Sequence, residues 1–243
     1  MTLMVSTMEE AVIGNVEDNQ NWDAQVVVPF GGEIEVSAWA EDKGAIHELL
    51  LEFPANAEGD TRYLMTYGLD EVSTDSTSMI NIDLKEGSLP SINSEPPQVI
   101  IDEGLQHFLD WQVGDRQTLV FGATSLEIEI TGVSQGEISR MVYFHRQDLS
   151  SVVGIEATSV LLDLPNGVEI DNELGEISLG ITQKQDLIQT YETLLEQQQG
   201  IFGSILALGV IIAIIVLFNT LIINLTERDV EIATLRVLGA PIK

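Results

Sequence analysis

Residues 201–226 read IFGSILALGVIIAIIVLFNTLIINLT, a run without one charged side chain. As a helix rising ~1.5 Å per residue it spans about 39 Å, more than the roughly 30 Å hydrocarbon core of a bilayer. Buried core helices usually carry shorter apolar runs, so length and composition predict a transmembrane helix. The flanks orient it. Residues 227–243, ERDVEIATLRVLGAPIK, contain Arg228, Arg236 and Lys243, whereas the equal stretch 184–200 contains only Lys184. Positive charge is retained on the cytoplasmic side, which places 227–243 inside and residues 21–200 outside.

The charge of the rest of the chain is very different. The 243 residues carry 39 Asp and Glu against 10 Lys and Arg, a formal net charge of -29. Residues 1–200 hold 36 of the acidic and 7 of the basic side chains, while residues 201–243 hold 3 of each. Such an acidic surface argues against binding nucleic acid, whose phosphates need a basic face, and against clinging to anionic lipid. It fits adaptation to a salt-rich medium or an ordinary well-solvated acidic face equally well. The absence of Cys excludes disulfides, thiolate zinc sites, iron–sulfur clusters and Cys nucleophiles.

Between residues 21 and 181 the hydrophobic period changes repeatedly, in short segments bounded by Gly, Pro, Asn and Asp. Strands are expected at 25–29, 33–39, 63–67, 79–83, 99–102, 117–121, 126–132, 141–144 and 159–162, and helices at 103–110 and 146–153. The fold class is α+β with mixed sheets, in one lobe or two, and the Ser- and Pro-rich residues 87–97 are the candidate loop between lobes. From 182 to 200 a stripe of Leu187, Ile188, Tyr191, Leu194 and Leu195 predicts a stalk helix leading to the span. Residues 1–20 are read either as the outer end of a preceding membrane helix whose beginning is missing or as an amphipathic N-terminal helix.

Just past the span, Val230, Ile232, Ala233, Leu235, Val237 and Leu238 alternate with Glu227, Arg228, Asp229, Glu231 and Arg236 until Gly239 and Pro241 end the helix. The pattern E-R-x-x-E-I-A-x-L-R-x-L-G-A resembles the segment after the second membrane helix of FtsX-like, MacB-type permeases of ABC transporters. There it forms the cytoplasmic coupling helix that docks on a separate ATPase. The resemblance continues outward through Gly87 and Pro90 in EGSLP, through Val99, Leu105, Val113, Gly114 and Asp115 in VIIDEGLQHFLDWQVGD, and through ITGV at 130–133. These look like that family's extracytoplasmic MacB-like core domain, which lies between the first and second of four membrane helices.

With one complete span, the chain then looks truncated at both ends. The resemblance implies an ATPase-coupling role for Glu227, Arg228, Glu231, Ile232, Leu235, Arg236, Leu238 and Gly239, a second permease copy or half as partner, and substrates among lipids, lipoproteins, peptides and drugs. Some relatives instead regulate cell-wall hydrolases. A membrane-anchored sensor or binding module without transport is the alternative.

No enzyme and no cofactor is expected. The sequence has no Walker A cradle, no H-E-x-x-H and no G-x-S-x-G, and His47, His107 and His145 lie far apart. Glu33 with Glu35, and Glu127 with Glu129, sit at strand spacing on one face and could attract a cation, though solvated strand faces explain them as well. Within the span, Gly203 with Ala207 and Gly209 with Ala213 are small-xxx-small pairs suited to close helix packing. Asn219 and Asn224 are amides that need partners away from lipid, and Asn224 is close enough to the inner interface to find water.

Overall fold

The computed structural model describes residues 19–135 and 140–237. It divides into a unit ending at Glu192 and a unit beginning at Thr193. The expected membrane-helix remnant lies outside the described residues except for Asn19 and Gln20. The elements are β1 (Ala24–Val27), α1 (Glu33–Lys43), β2 (Ile46–Ala57), β3 (Tyr63–Leu69), β4 (Leu84–Gly87), β5 (Gln98–Asp102), α2 (Glu103–Leu109), β6 (Arg116–Phe121), β7 (Thr124–Ser134), β8 (Met141–His145), α3 (Arg146–Val153), β9 (Ser159–Asp163), α4 (Asn172–Ile177), β10 (Gly180–Gln183) and α5 (Lys184–Val237). The class is α+β, with a mixed sheet.

One strand organises the sheet. The first half of β2 pairs with β9, its middle with β3, and Asn56 and Ala57 with β6. The sheet runs β10-β1-β9-β2-β3-β8-β5-β7-β4, and β6 bridges β7 back to β2. The ring β2-β3-β8-β5-β7-β6 is therefore closed, which removes edges and lets inward side chains fill a barrel-like interior. That interior holds Leu51, Leu64, Val99, Ile101, Leu119, Ile128, Val142 and Phe144, with Leu105 and Leu149 from α2 and α3. On the other side of β2, strands β9, β1 and β10 build a second core with α1 and α4 around Val26, Val36, Trp39, Val160 and Leu174. The β3–β8 and β5–β7 pairs are parallel and the other ladders antiparallel.

Several expectations are corrected by this arrangement. Residues 33–39 form the start of helix α1, not a strand, because Val36, Trp39 and Ala40 are the buried set and fall at i, i+3 and i+4. Ile34, whose alternation with Val36 suggests a strand, is 71 % exposed. Gly44 ends α1 in the left-handed region at φ 69°.

Residues 79–83 form no strand. Met79 and Ile82 are buried, and the segment makes only the isolated bridges Gln20–Ile80 and Ser73–Asn81. Residues 87–97 do not link two lobes; they join β4 to β5, both of which pair with β7. The two cores meet instead at β2. Strand β2 itself, β4, β10 and helix α4 are additions to the sequence reading. The stalk begins at Lys184, since Thr182 and Gln183 belong to β10.

Gly87 has a defined task. Its φ is 89°, and a Cβ there would stand 2.1 Å from the Thr131 carbonyl oxygen, so only glycine lets β4 lie this close to β7.

Candidate functional site

Helix α5 grows out of the sheet edge. Strand β10 pairs with β1 in the register Ala24–Gln183 to Val27–Gly180, and the Lys184 N–H then donates to the Asp23 carbonyl at 2.9 Å. The Asp23 carboxylate accepts from the Leu164 N–H at 2.9 Å. Burial, reinforced by the neighbouring Asp23 charge, raises the Asp163 carboxyl above its usual range. Leu187 packs against a cluster of Trp22, Leu50, Leu69, Ile100, Tyr143 and Leu161. The expected stripe is thus partly used within the first unit: Leu187, Ile188 and Tyr191 are half-buried.

In the second unit the helix is long and apolar enough to cross a membrane, and none of its most apolar window is buried within the chain. Its hydroxyls satisfy themselves. Ser204 donates to the Gly200 carbonyl at 2.8 Å, Thr220 to Val216 at 2.8 Å, and Thr226 to Ile223 at 2.8 Å. Neither the Asn219 nor the Asn224 side-chain amide forms a hydrogen bond among the described residues.

Successive residues on a helix turn by about 100°, so Gly203 and Ala207 share one face, and Gly209 and Ala213 share a second about 120° away. Asn219 falls on a third, roughly 80° to 120° from Gly209 and Ala213. The membrane-packing candidates therefore do not form a single stripe. The face of Gly209 and Ala213 continues through Thr220 and Asn224 to Glu227.

Beyond residue 226 the helix runs on without interruption to Val237. The side chains of Glu227, Arg228 and Ile232 are exposed, and Thr234 donates to the Val230 carbonyl at 2.7 Å. The backbone at Glu231, Leu235 and Arg236 is helical. Leu238 and Gly239 lie outside the described residues.

The other sequence candidates separate. His47, His107 and His145 stand on β2, α2 and β8; His107 is near Glu103 at 3.5 Å, and His145 Nε2 meets the Pro90 carbonyl at 3.1 Å. Glu33 and Glu35 lie about 200° apart around α1, so the expected shared face does not exist. Glu127 and Glu129 do share a face of β7, but the Arg116 guanidinium from β6 lies 3.9 and 4.0 Å from them and supplies the cation.

Sequence reasoning misses the cationic contacts made across the fold, because their partners are far apart in the chain. Arg146, only 14 % exposed, pairs with Asp70 at 2.5 Å and with Glu156 at 2.8 Å. Arg62 and Arg140 each stack 3.7 Å from the Phe108 ring centre. The Arg62 guanidinium also grips Asp60 and holds its carboxyl down at about 2.

No family model matches the chain, and no curated protein matches it. Among solved structures it is similar to the periplasmic region of MacB from Actinobacillus actinomycetemcomitans, with 14 % identity and a TM-score of 0.46 over 73 % of this chain and 96 % of that one. It is also similar to the extracellular domain of the ABC-type transporter YknZ from Gram-positive bacteria, with 12 % identity and a TM-score of 0.42 over 71 % of this chain and 95 % of that one. MacB is also the name that the sequence resemblance carries.

Proposed function

We propose that the chain is part of a permease subunit of an ABC-type transporter. It couples ATP hydrolysis by a separate ATPase to conformational work outside the cytoplasm, such as export or extraction of lipids, lipoproteins, peptides or drugs. In this reading residues 21–200 are extracytoplasmic, α5 crosses the membrane, and residues 227–243 face the cytoplasm. The assembly contains a second permease copy or half.

The observation that carries the reading is the direct continuation of an uncharged, externally apolar helix into the ERDVEIATLRVLGA pattern, whose described side chains are exposed. Exposed Val230 and Ile232 beside Glu227 and Arg228 suit a groove with a charged rim. The positive flank supports the orientation.

The test uses the intact permease with its ATPase. Central apolar anchors at an interface cost about 2 kcal/mol or more when truncated, so Leu235→Ala and Leu238→Ala are expected to weaken ATPase recruitment roughly thirtyfold while the protein still reaches the membrane. Full coupled activity in both variants would remove the coupling role and favour an anchored sensor.

A further inference from the structure

The run 201–226 contains five polar side chains, and the helix satisfies three of them: the hydroxyls of Ser204, Thr220 and Thr226 bond to its own carbonyls. The two amides cannot be treated alike. Measured from the middle of the run at ~1.5 Å per residue, Asn224 lies about 16 Å out, at the edge of a hydrocarbon core of half-thickness about 15 Å. Asn219 lies about 8 Å out, inside the core. A primary amide there has two donors and an acceptor and no water, so it requires a polar partner from another helix.

We propose that Asn219 pairs with Asn219 of a second copy of this chain, forming a parallel, in-register contact between two α5 helices. This rests on the reading that α5 crosses a membrane. Two features select a second copy. The amide is self-complementary: across a two-fold axis each Nδ2–H donates to the other's Oδ1, so the pair satisfies both copies at once.

The second feature is the register. Ile205, Ile212, Asn219 and Thr226 recur every seven residues, and Leu208, Ile215 and Ile222 interleave with them at the complementary spacing. This is the a/d seam of a parallel helix pair, with Asn at one a position, where a single buried amide fixes register and partner number. All of these side chains are exposed on the chain as it stands. Two copies in one membrane necessarily point the same way, so the pairing is parallel. The seam lies apart from both small-residue faces, which remain open to other helices.

The native chain has no cysteine, so each introduced one reports alone. In the full chain in native membranes, single substitutions Leu208→Cys, Ile215→Cys and Ile222→Cys are expected to give disulfide-linked dimers on mild oxidation. Val210→Cys and Leu217→Cys, on the far side of the helix, are not. Adding Asn219→Leu to Ile215→Cys should reduce the cross-linked fraction about threefold to tenfold, whereas Asn219→Gln should keep most of it.

Cross-links on the far side, no same-residue cross-links, or an Asn219→Leu background that cross-links normally would overturn the pairing. Alkaline extraction and ATPase recruitment separate the two levels. If the chain stays in the membrane and recruits its ATPase without these cross-links, only the pairing fails. Release from the membrane removes the transporter reading as well.

Discussion

Asp102 offers a quantitative test of how the barrel is held. Its side chain is fully buried at the end of β5. One carboxylate oxygen accepts from the Leu105 N–H at 2.6 Å, capping α2, and the other accepts from the Met141 N–H at 3.1 Å. Because β5 and β8 pair through Ile100–Tyr143 and Ile101–Val142, the second bond extends the ladder by one step through a side chain. Asp102→Ala removes a helix cap, worth about 1 kcal/mol, and strands a buried N–H at about 1–3 kcal/mol. A loss of about 3 kcal/mol corresponds to a Tm lower by roughly 6–12 °C for a domain of this size. Asp102→Asn keeps the cap but turns a donor toward Met141, so about half of the loss should remain.

The chain supplies its own probe. Trp22, Trp39 and Trp111 are its three tryptophans, and all are buried in the sheet domain. Tryptophan fluorescence of the full chain in detergent therefore reports this domain's melting without interference from α5. An Asp102→Ala variant that melts within 2 °C of the parent would show that these two hydrogen bonds contribute little to stability.

Gly87→Ala should be more damaging than an ordinary exposed Gly→Ala change, because the new methyl collides with the Thr131 carbonyl at 2.1 Å as well as straining a φ of 89°. The same melt should show a Tm loss, or the sheet domain should fail to accumulate. For pH, Glu48, Asp148 and Asp163 are raised by burial, so the folded state binds their protons more tightly and gains stability as pH falls through their raised values. Asp60, at about 2, and the lowered Glu103 and Asp171 act oppositely, since their contribution is present above the ordinary carboxylate range and lost on acidification. Tm should rise modestly as the pH falls from neutrality toward the ordinary carboxylate range and fall below that range, and a steady decline from neutrality would contradict the assignment. Topology is checked with an impermeant thiol reagent on intact cells: Ser88→Cys should label and Thr234→Cys should not.

The strands legible in the sequence each carry one simple pattern. Those at 63–67, 117–121 and 126–132 alternate between core and more exposed positions, and those at 141–144 and 159–162 are short apolar runs buried almost throughout, all with small changes of boundary. Strand β2 is not legible for the opposite reason. Its successive residues Leu49, Leu50 and Leu51 face three different clusters, so no alternation survives, and Pro54 lies inside it. Helix α1 is misread because exposed Ile34 mimics a strand period, while its true anchor, Trp39, reaches Asp171 at 3.1 Å, far along the chain. The cation at Glu127 and Glu129 is hidden in the same way, since Arg116 reaches them only through the β6–β7 register.

The two groups of residues that carry the family resemblance differ in how much the fold itself explains them. Gly87 is required by a close approach. Gly114 has a φ of 94° and its N–H bonds the Ile130 carbonyl at 2.7 Å, while the Asp115 carboxylate accepts from Gln112 at 2.9 Å. Val99 and Leu105 fill the barrel. Any chain building this barrel has reason to keep such residues, so they speak to architecture and are silent about function. Glu227, Arg228, Val230 and Ile232 have no comparable employment among the described residues. They stand exposed on a helix that would be at least as stable with Ala, Lys or Gln at the Val and Ile positions, and Val230 is 66 % exposed. A specific mixture of apolar and charged residues that local stability does not require supports a contact beyond this chain, and at the positively flanked end of a membrane-length helix the ATPase is the partner we infer.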